Sequence, residues 1–270
     1  MEKLTVIKIG GSVIDNPGDL EVFLKDFAAV EGYKILVHGG GKIATELSAE
    51  LGIEARIVKG RRITDSKNLK IVTMVYAGLI NKNIVARLQS HHCSAIGLTG
   101  ADGNLIKATK RPIRKDPTSG QELNFGFVGD LDKLSVNSES LSKLLKSGFV
   151  PVFSAITHDG NGQLLNTNAD TIASVISTSM VNHYDTSLIY CFEKQGVLMD
   201  VDDESSVIRS IDTEKYHELK HSGHISNGMI PKMDNVFDAL NKGLKEVFIG
   251  KADALPLLKK QNFGTRLILK

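Results

Sequence analysis

The chain has 270 residues, 41% of them apolar and 24% charged, enough to bury a large core in an ordinary globular protein. Its 33 lysines and arginines nearly balance 31 aspartates and glutamates, so no overall field draws it to nucleic acid or an anionic membrane, and any polyanion has to be met by local charge. Cys93 and Cys191 stand far apart and outside metal-ligand spacing, "MEKLTVIKIGG" lacks a secretory pattern and no run reads as a bilayer span, so a cytoplasmic protein is expected.

Residues 4–9, "LTVIKI", read as a strand, and after Pro17 the residues Leu20, Phe23, Leu24, Phe27 and Ala28 recur at helical spacing. "KILVH" is strand-like again. "GKIATELSAELG" predicts a helix with Ile43, Leu47 and Leu51 on one face and Gly52 as its stop. "EARIVKGRRIT" predicts a hairpin, and residues 65–90 one long helix capped by Thr64. The strand "AIGL" follows. Residues 102–130 hold short alternating runs around the turn "DPTSG", which predict β-hairpins standing off the main sheet. Residues 149–156 restart the alternation, with a helix over 169–181, the strand "SLIYCF", a helix over 231–242 with Pro231 in its first turn, and closing strands "EVFIG" and "TRLIL". The pattern predicts an α/β fold, a mostly parallel central sheet sandwiched by helices.

The chain turns twice from a strand into glycines, at "IKIGGSV" and at "LVHGGGKIA". Such a turn aims free N–H groups and the positive end of a helix at whatever lies over it, so an anion is the natural occupant. Neither turn is a Walker loop, because Lys42 precedes Ile43 instead of Ser or Thr and position 36 is Leu. Residues 39–44 satisfy G-x-G-x-x-A, the dinucleotide fingerprint, but no convincing acidic residue follows about 20 residues on to bind a ribose. A nicotinamide-dependent oxidoreductase therefore stays formally open.

"KIGGS", "VHGGGK", "GRRIT", "GLTGADGNLI", "GFVGD", "LLNTNAD" and "NGMIPKM" occur in the order and spacing of the amino acid kinase family. The chain resembles that family over nearly its whole length, and most closely its acetylglutamate kinases. The resemblance implies an amino acid kinase-like fold with β-hairpins over the substrate site. It implies an N-terminal lobe, residues 1–155, for acylglutamate binding and dimerisation, and a C-terminal lobe, residues 156–270, for the nucleotide. The implied reaction is ATP-dependent phosphorylation of the side-chain carboxylate of N-acetyl-L-glutamate in arginine biosynthesis. N-Succinyl-L-glutamate, used in some lineages, is the alternative, and a non-catalytic ligand-binding member is a further one.

The resemblance also assigns roles. Lys8 and Lys232 match the lysines that stabilise the transition state, and Asp170 the aspartate that organises them. Gly10, Gly11 and Gly40 match phosphate-contacting positions; Gly40 and Gly41, Arg62 and Asn166 match the acylglutamate site, a guanidinium fork suiting a planar carboxylate. Gly196, Val197, Leu198 and Ser226 are the implied nucleotide contacts, with ATP and Mg²⁺ as co-substrate and no protein metal ligand. Arg61 and the run "KRPIRK" read as solvated charge. Where family members usually carry Ser/Thr-Asp-Val-x-Gly, this chain has "CFEKQGVL", so Phe192, Glu193 and Lys194 depart from the pattern. Ile71, Val72, Val75, Leu79 and Ile80 suggest a two-fold contact, and a first strand beginning near Leu4 leads to the expectation of an arginine-insensitive homodimer.

Overall fold

The computed structural model describes residues 1–58, 61–115, 120–200, 202–225, 229–260 and 262–270. β1 (Lys3–Ile9) has Leu4, Val6, Ile7 and Ile9 fully buried, because both of its faces are covered. The short α1 (Gly11–Asp15) leads to α2 (Pro17–Ala28), whose first turn Asn16 caps by accepting from the N–H groups of Gly18 and Asp19. Leu20, Phe23, Leu24 and Phe27 form its buried stripe, as their spacing predicts. β2 (Tyr33–His38) runs into the glycines, and α3 (Gly41–Glu50) starts on the last of them. Ala44 and Ser48 are its buried positions, Ile43 and Leu47 are half-buried and Leu51 is exposed. Ile43 and Leu47 thus pack against the core as predicted, beside the fully buried Ala44 and Ser48, while Leu51 turns outward.

β3 (Ile57–Val58) and β4 (Arg61–Arg62) form the expected hairpin, Ile57 opposite Arg62. The helical stretch Ser66–Ser90 comprises α4 (Ser66–Val72), a π-helical segment (Thr73–Ile80) and α5 (Asn81–Ser90). Its cap is Asp65, which accepts from the Asn68 N–H at 2.8 Å, and not Thr64, which is buried and serves the cleft described below. Contrary to the sequence reading, this stretch is long and apolar enough to cross a membrane. Leu69, Ile71, Val72, Val75, Ile80, Ile84 and Leu88 are nevertheless buried in the core, which makes it a core helix. Of the five residues read as a two-fold contact, only Leu79 is exposed, with Met74 beside it.

β5 (Ala95–Leu98) precedes the hairpin region, where β6 (Thr109–Lys110) pairs with β9 (Gly129–Asp130) and β7 (Arg114–Lys115) with β8 (Glu122–Leu123), both antiparallel and off the main sheet. The chain continues through α6 (Ser138–Lys146), β10 (Val150–Ser154), the antiparallel pair β11 (Ile156–His158) and β12 (Leu164–Asn166), and α7 (Ala169–Met180). β13 (Asp185–Phe192), β14 (Ser210–Ile211), α8 (Thr213–His221), α9 (Ile230–Asn241), β15 (Val247–Lys251) and β16 (Thr265–Leu267) complete it. The eight-stranded sheet runs β14-β16-β15-β13-β1-β2-β10-β5, parallel except between β15 and β16. β1 joins the two halves, pairing with β13 from Lys3 opposite Asp185 to Ile9 opposite Cys191. Both glycine turns leave the sheet at the carboxyl ends of β1 and β2, where open α/β sheets bind their ligands.

Candidate active site

A cleft of about 450 Å³ opens over these strand ends, lined by both glycine turns, the β3–β4 hairpin, the β9 strand and the start of α7. Lys8, Gly11, Gly40, Gly41, Arg62, Asn166 and Asp170 all line it, so seven of the residues singled out in the sequence converge on one space.

Lys8 is nearly buried at the end of β1, and its Nζ lies 2.8 Å from Asp170 Oδ1. The approach is an ion pair off the hydrogen-bonding axis, so Oδ1 remains a buried acceptor without a hydrogen-bond donor. Asp170 sits in the first turn of α7, where Asn168 caps by accepting from the Thr171 N–H at 3.0 Å. α3 and α7 both point their positive ends at the cleft, which favours negative charge there. Lys232, in the first turn of α9, is absent from the cleft wall but stands with its Nζ 4.0 Å from the centre of the Phe192 ring; Lys8 Nζ is 5.3 Å from the same centre. Burial pushes the Lys232 pKa down; Asp170 opposes that, Lys8 adds to it and Glu193 opposes it.

The glycines divide into different kinds. Gly10 donates its N–H to the Cys191 carbonyl at 3.1 Å, so this donor is spent inside the sheet, and of the first turn's two glycines Gly11 is the one that lines the cleft. A Cβ on Gly11 would meet only Asp15 Oδ2 at 3.9 Å, and one on Gly41 only the Tyr76 hydroxyl at 3.9 Å. Gly40 is different: its φ of +148° is open to glycine, and a Cβ would collide with Ile80 Cδ1 and lie 3.1 Å from Tyr76 Cδ1. Its bareness serves packing against the π-helical segment, although Gly40 also lines the cleft. Beneath this turn His38 is fully buried, its Nδ1 2.9 Å from the Gly39 carbonyl and its Nε2 3.0 Å from Asn81 Nδ2. Burial lowers its pKa to about 4, so the ring is neutral, with Nδ1–H donating to Gly39 and Nε2 accepting from Asn81.

Arg62 Nη2 donates to the Gly41 carbonyl at 2.9 Å and to Thr45 Oγ1 at 2.6 Å, while its buried Nη1 has no partner. Asn166 Nδ2 donates to Thr64 Oγ1 at 3.0 Å, and Thr64 Oγ1 in turn to the Arg62 carbonyl at 3.3 Å. The second glycine turn, the β4 arginine and β12 are therefore tied together.

Arg111, read from sequence as solvated charge, is a correction: it lines the cleft with its side chain 13% exposed, and Nε donates to Asp130 Oδ1 at 3.0 Å. Its Nη1 is also buried without a partner. The β6–β9 pairing, Thr109 opposite Asp130, is what brings it inward. Arg61 lines the cleft as well, though exposed. Gly196, Val197 and Leu198 lie outside this cleft. A Cβ on Gly196 would come within 2.7 Å of Thr265 Oγ1, which accepts the Val197 N–H at 2.8 Å, and Val197 and Leu198 are buried. Ser226 falls outside the described residues. Among the described residues there is no cluster of three histidine, cysteine or acidic side chains able to hold a metal.

Residues 3–251 match the model of the amino acid kinase family. The chain is 53% identical over 270 residues to the acetylglutamate kinase of Cytophaga hutchinsonii, covering 99% of each, and 51% identical over 269 residues to that of Phocaeicola vulgatus, covering 100% of this chain and 99% of the other. Among solved structures, a Giardia carbamate kinase superposes with a TM-score of 0.69 at 11% identity, over 100% of this chain and 99% of that one, a likeness of fold alone. With its paired lysine and aspartate, its two glycine turns and a family match over most of its length, the chain belongs to the amino acid kinase family.

Proposed function

We propose that the protein transfers the γ-phosphoryl group of ATP to the side-chain carboxylate of N-acetyl-L-glutamate, giving an acyl phosphate for arginine synthesis. The observation that carries this is the Lys8–Asp170 pair set between the two glycine turns, in a chain 53% identical to a protein named acetylglutamate kinase. A glutamate side chain with a pKa near ~4.3 is already ionised at neutral pH, so the nucleophile needs no general base. The difficulty is bringing one anion to another, which calls for fixed cations and N–H dipoles around the moving group.

In this reading Lys8 and Lys232 neutralise charge on the transferring phosphoryl from the attacking and leaving sides, and Asp170 keeps the two ammonium groups close together. Gly11 and Gly40 offer N–H groups to the phosphoryl. Gly41, Arg62 and Asn166 hold the acylglutamate, with the unpartnered Arg62 Nη1 toward its α-carboxylate. Gly196, Val197, Leu198 and Ser226 belong to the ATP side, and Mg²⁺ arrives with ATP, held by phosphate oxygens. The halves then divide the work, residues 1–155 for the acylglutamate and 156–270 for the nucleotide, in a cytoplasmic homodimer whose contact includes Met74 and Leu79. Sedimentation of a Leu79→Glu variant as a monomer supports that contact.

A second reading has one observation in its favour. Arg111 brings a further unpartnered guanidinium N–H to the cleft, which suits an acyl group ending in a carboxylate, as in N-succinyl-L-glutamate. The test is kcat/KM with ATP for both acylglutamates, the acyl phosphate being trapped as its hydroxamate. Turnover of N-acetylglutamate at least tenfold better than of the succinyl compound supports the first reading; the reverse order supports the second. Absence of turnover with both removes the enzyme in favour of a binding member, and tight nicotinamide binding points to the oxidoreductase.

A further inference from the structure

β13 ends on Phe192, with Tyr190 two residues back and therefore on the same face of the sheet. The two rings stack at 6.0 Å between centres and 13° between planes. Tyr190 is itself anchored, since its hydroxyl donates to the main-chain carbonyl of Asp170 at 3.2 Å. The plane of the Phe192 ring is thus fixed relative to the helix start that carries Asp170. Over this ring stand both ammonium groups of the site, Lys232 at 4.0 Å and Lys8 at 5.3 Å from its centre.

We infer that Phe192 is a positioning residue for phosphoryl transfer: its ring holds the Lys232 ammonium beside Lys8 and Asp170 while adding no negative charge to the site. The inference rests on the proposed reaction, in which both lysines meet the phosphoryl group. The chemistry explains why a ring suits this place. Asp170 lies in ion-pair contact with Lys8, and Glu193 already favours the Lys232 ammonium through its charge; a carboxylate placed directly on Lys232 in the ring's stead would cancel its charge and repel the incoming phosphate. The face of an aromatic ring attracts an ammonium more weakly than a carboxylate does, so phosphate oxygens displace it readily. Without any partner, a long lysine side chain would have to be ordered anew in each turnover. "CFEKQGVL" thus sets an aromatic face, Phe192, where the pattern usually has Ser or Thr, and keeps a carboxylate, Glu193, at the place of the usual aspartate.

Phe192→Leu keeps the apolar bulk and removes the ring, whereas Phe192→Tyr keeps both. The expected result is a kcat about 10-fold lower for the leucine variant with KM for the acylglutamate within about twofold, and recovery of most of kcat in the tyrosine variant. In the ligand-free protein labelled with ¹³C-lysine, the ε-methylene protons of Lys232 should be shifted upfield by the ring in the parent and the tyrosine variant, and lie at the ordinary lysine position in the leucine variant. This signal reads the contact without turnover, so an inactive parent would overturn the reaction and leave the contact tested by itself. Should Phe192→Leu fail to fold, Phe192→Met takes its place. An unshifted Lys232 signal in the parent, a leucine variant within twofold of the parent in kcat, or equal losses in the leucine and tyrosine variants with a raised KM would each overturn the inference.

Discussion

The two glycine turns look alike in the sequence and behave differently in the fold. The first, at Gly10 and Gly11, spends one N–H on the neighbouring strand and leaves open space around Gly11. The second, at Gly39, Gly40 and Gly41, is wedged between a neutral buried histidine below and the π-helical segment beside it. A glycine can be required because a ligand needs the room or because the protein's own packing has taken it. Gly11 has open space over the cleft, whereas at Gly40 the protein's own packing has taken it.

The largest effect expected on either side of this comparison belongs to the cation at the foot of the first turn. Lys8→Ala should leave the melting temperature nearly unchanged and lower kcat on the order of 10²–10³-fold, the cost of losing one charge-stabilising donor. Near-normal turnover would remove Lys8, and the first turn with it, from the chemistry.

Next come the glycines. Gly40→Ala has to relieve a collision with Ile80 in a backbone conformation that suits glycine, and about 3 kcal/mol of stability should be lost in denaturant titrations. Gly11→Ala should change stability by less than ~0.5 kcal/mol while lowering activity, because its Cβ enters the cleft and not the core. Equal stabilities for the two variants would erase the distinction between the turns.

His38 sharpens the comparison through pH. A histidine whose pKa is lowered from 6.5 to about 4 in the folded chain stabilises it fully above pH 6.5, and that contribution is lost as pH falls from 6.5 toward 4. The gap of about 2.5 pH units corresponds to roughly 3 kcal/mol at its lower limit, with part of it lost already near pH 5.5. Stability measured from pH 7 to 4.5 should fall less steeply in His38→Gln than in the parent. Parallel curves would show that this proton does not hold the second turn.

The smallest effect concerns Arg62, which touches the second turn through Gly41. Arg62→Ala should raise KM for the acylglutamate about 10- to 30-fold with kcat largely kept, since a carboxylate grip is made in ground and transition states alike. A change confined to KM for ATP would place this arginine in the other half of the site.

The sheet was legible because its strands are apolar runs bounded by glycines, and α2 because its phenylalanines and leucines keep strict spacing. Lys8, Arg62, Asn166 and Asp170 could be named through family motifs, and the fold brings all four to one cleft. What stayed hidden depended on contacts between distant segments. Arg111 looked like one more charge in "KRPIRK" until the pairing of β6 with β9 set it beside Asp130. Phe192 was visible as a departure from pattern, but its use depends on where Lys232 and Tyr190 stand. The apolar surplus of the helix at 65–90 suggested a contact between subunits, yet the core absorbs most of it. Thr64 gave way to Asp65 as the cap because the preceding residue was already engaged with Asn166.

The hairpin that carries Arg111 and Asp130 lies outside the main sheet, whereas Lys8 and Asp170 belong to a central strand and the helix beside it. In evolutionary terms the two can drift at different rates. Substitutions or length changes in the hairpin alter which groups face the cleft without disturbing the register of β1 against β13, so a lineage could inherit the phosphoryl-transfer apparatus intact and revise its choice of acceptor by editing a surface appendage.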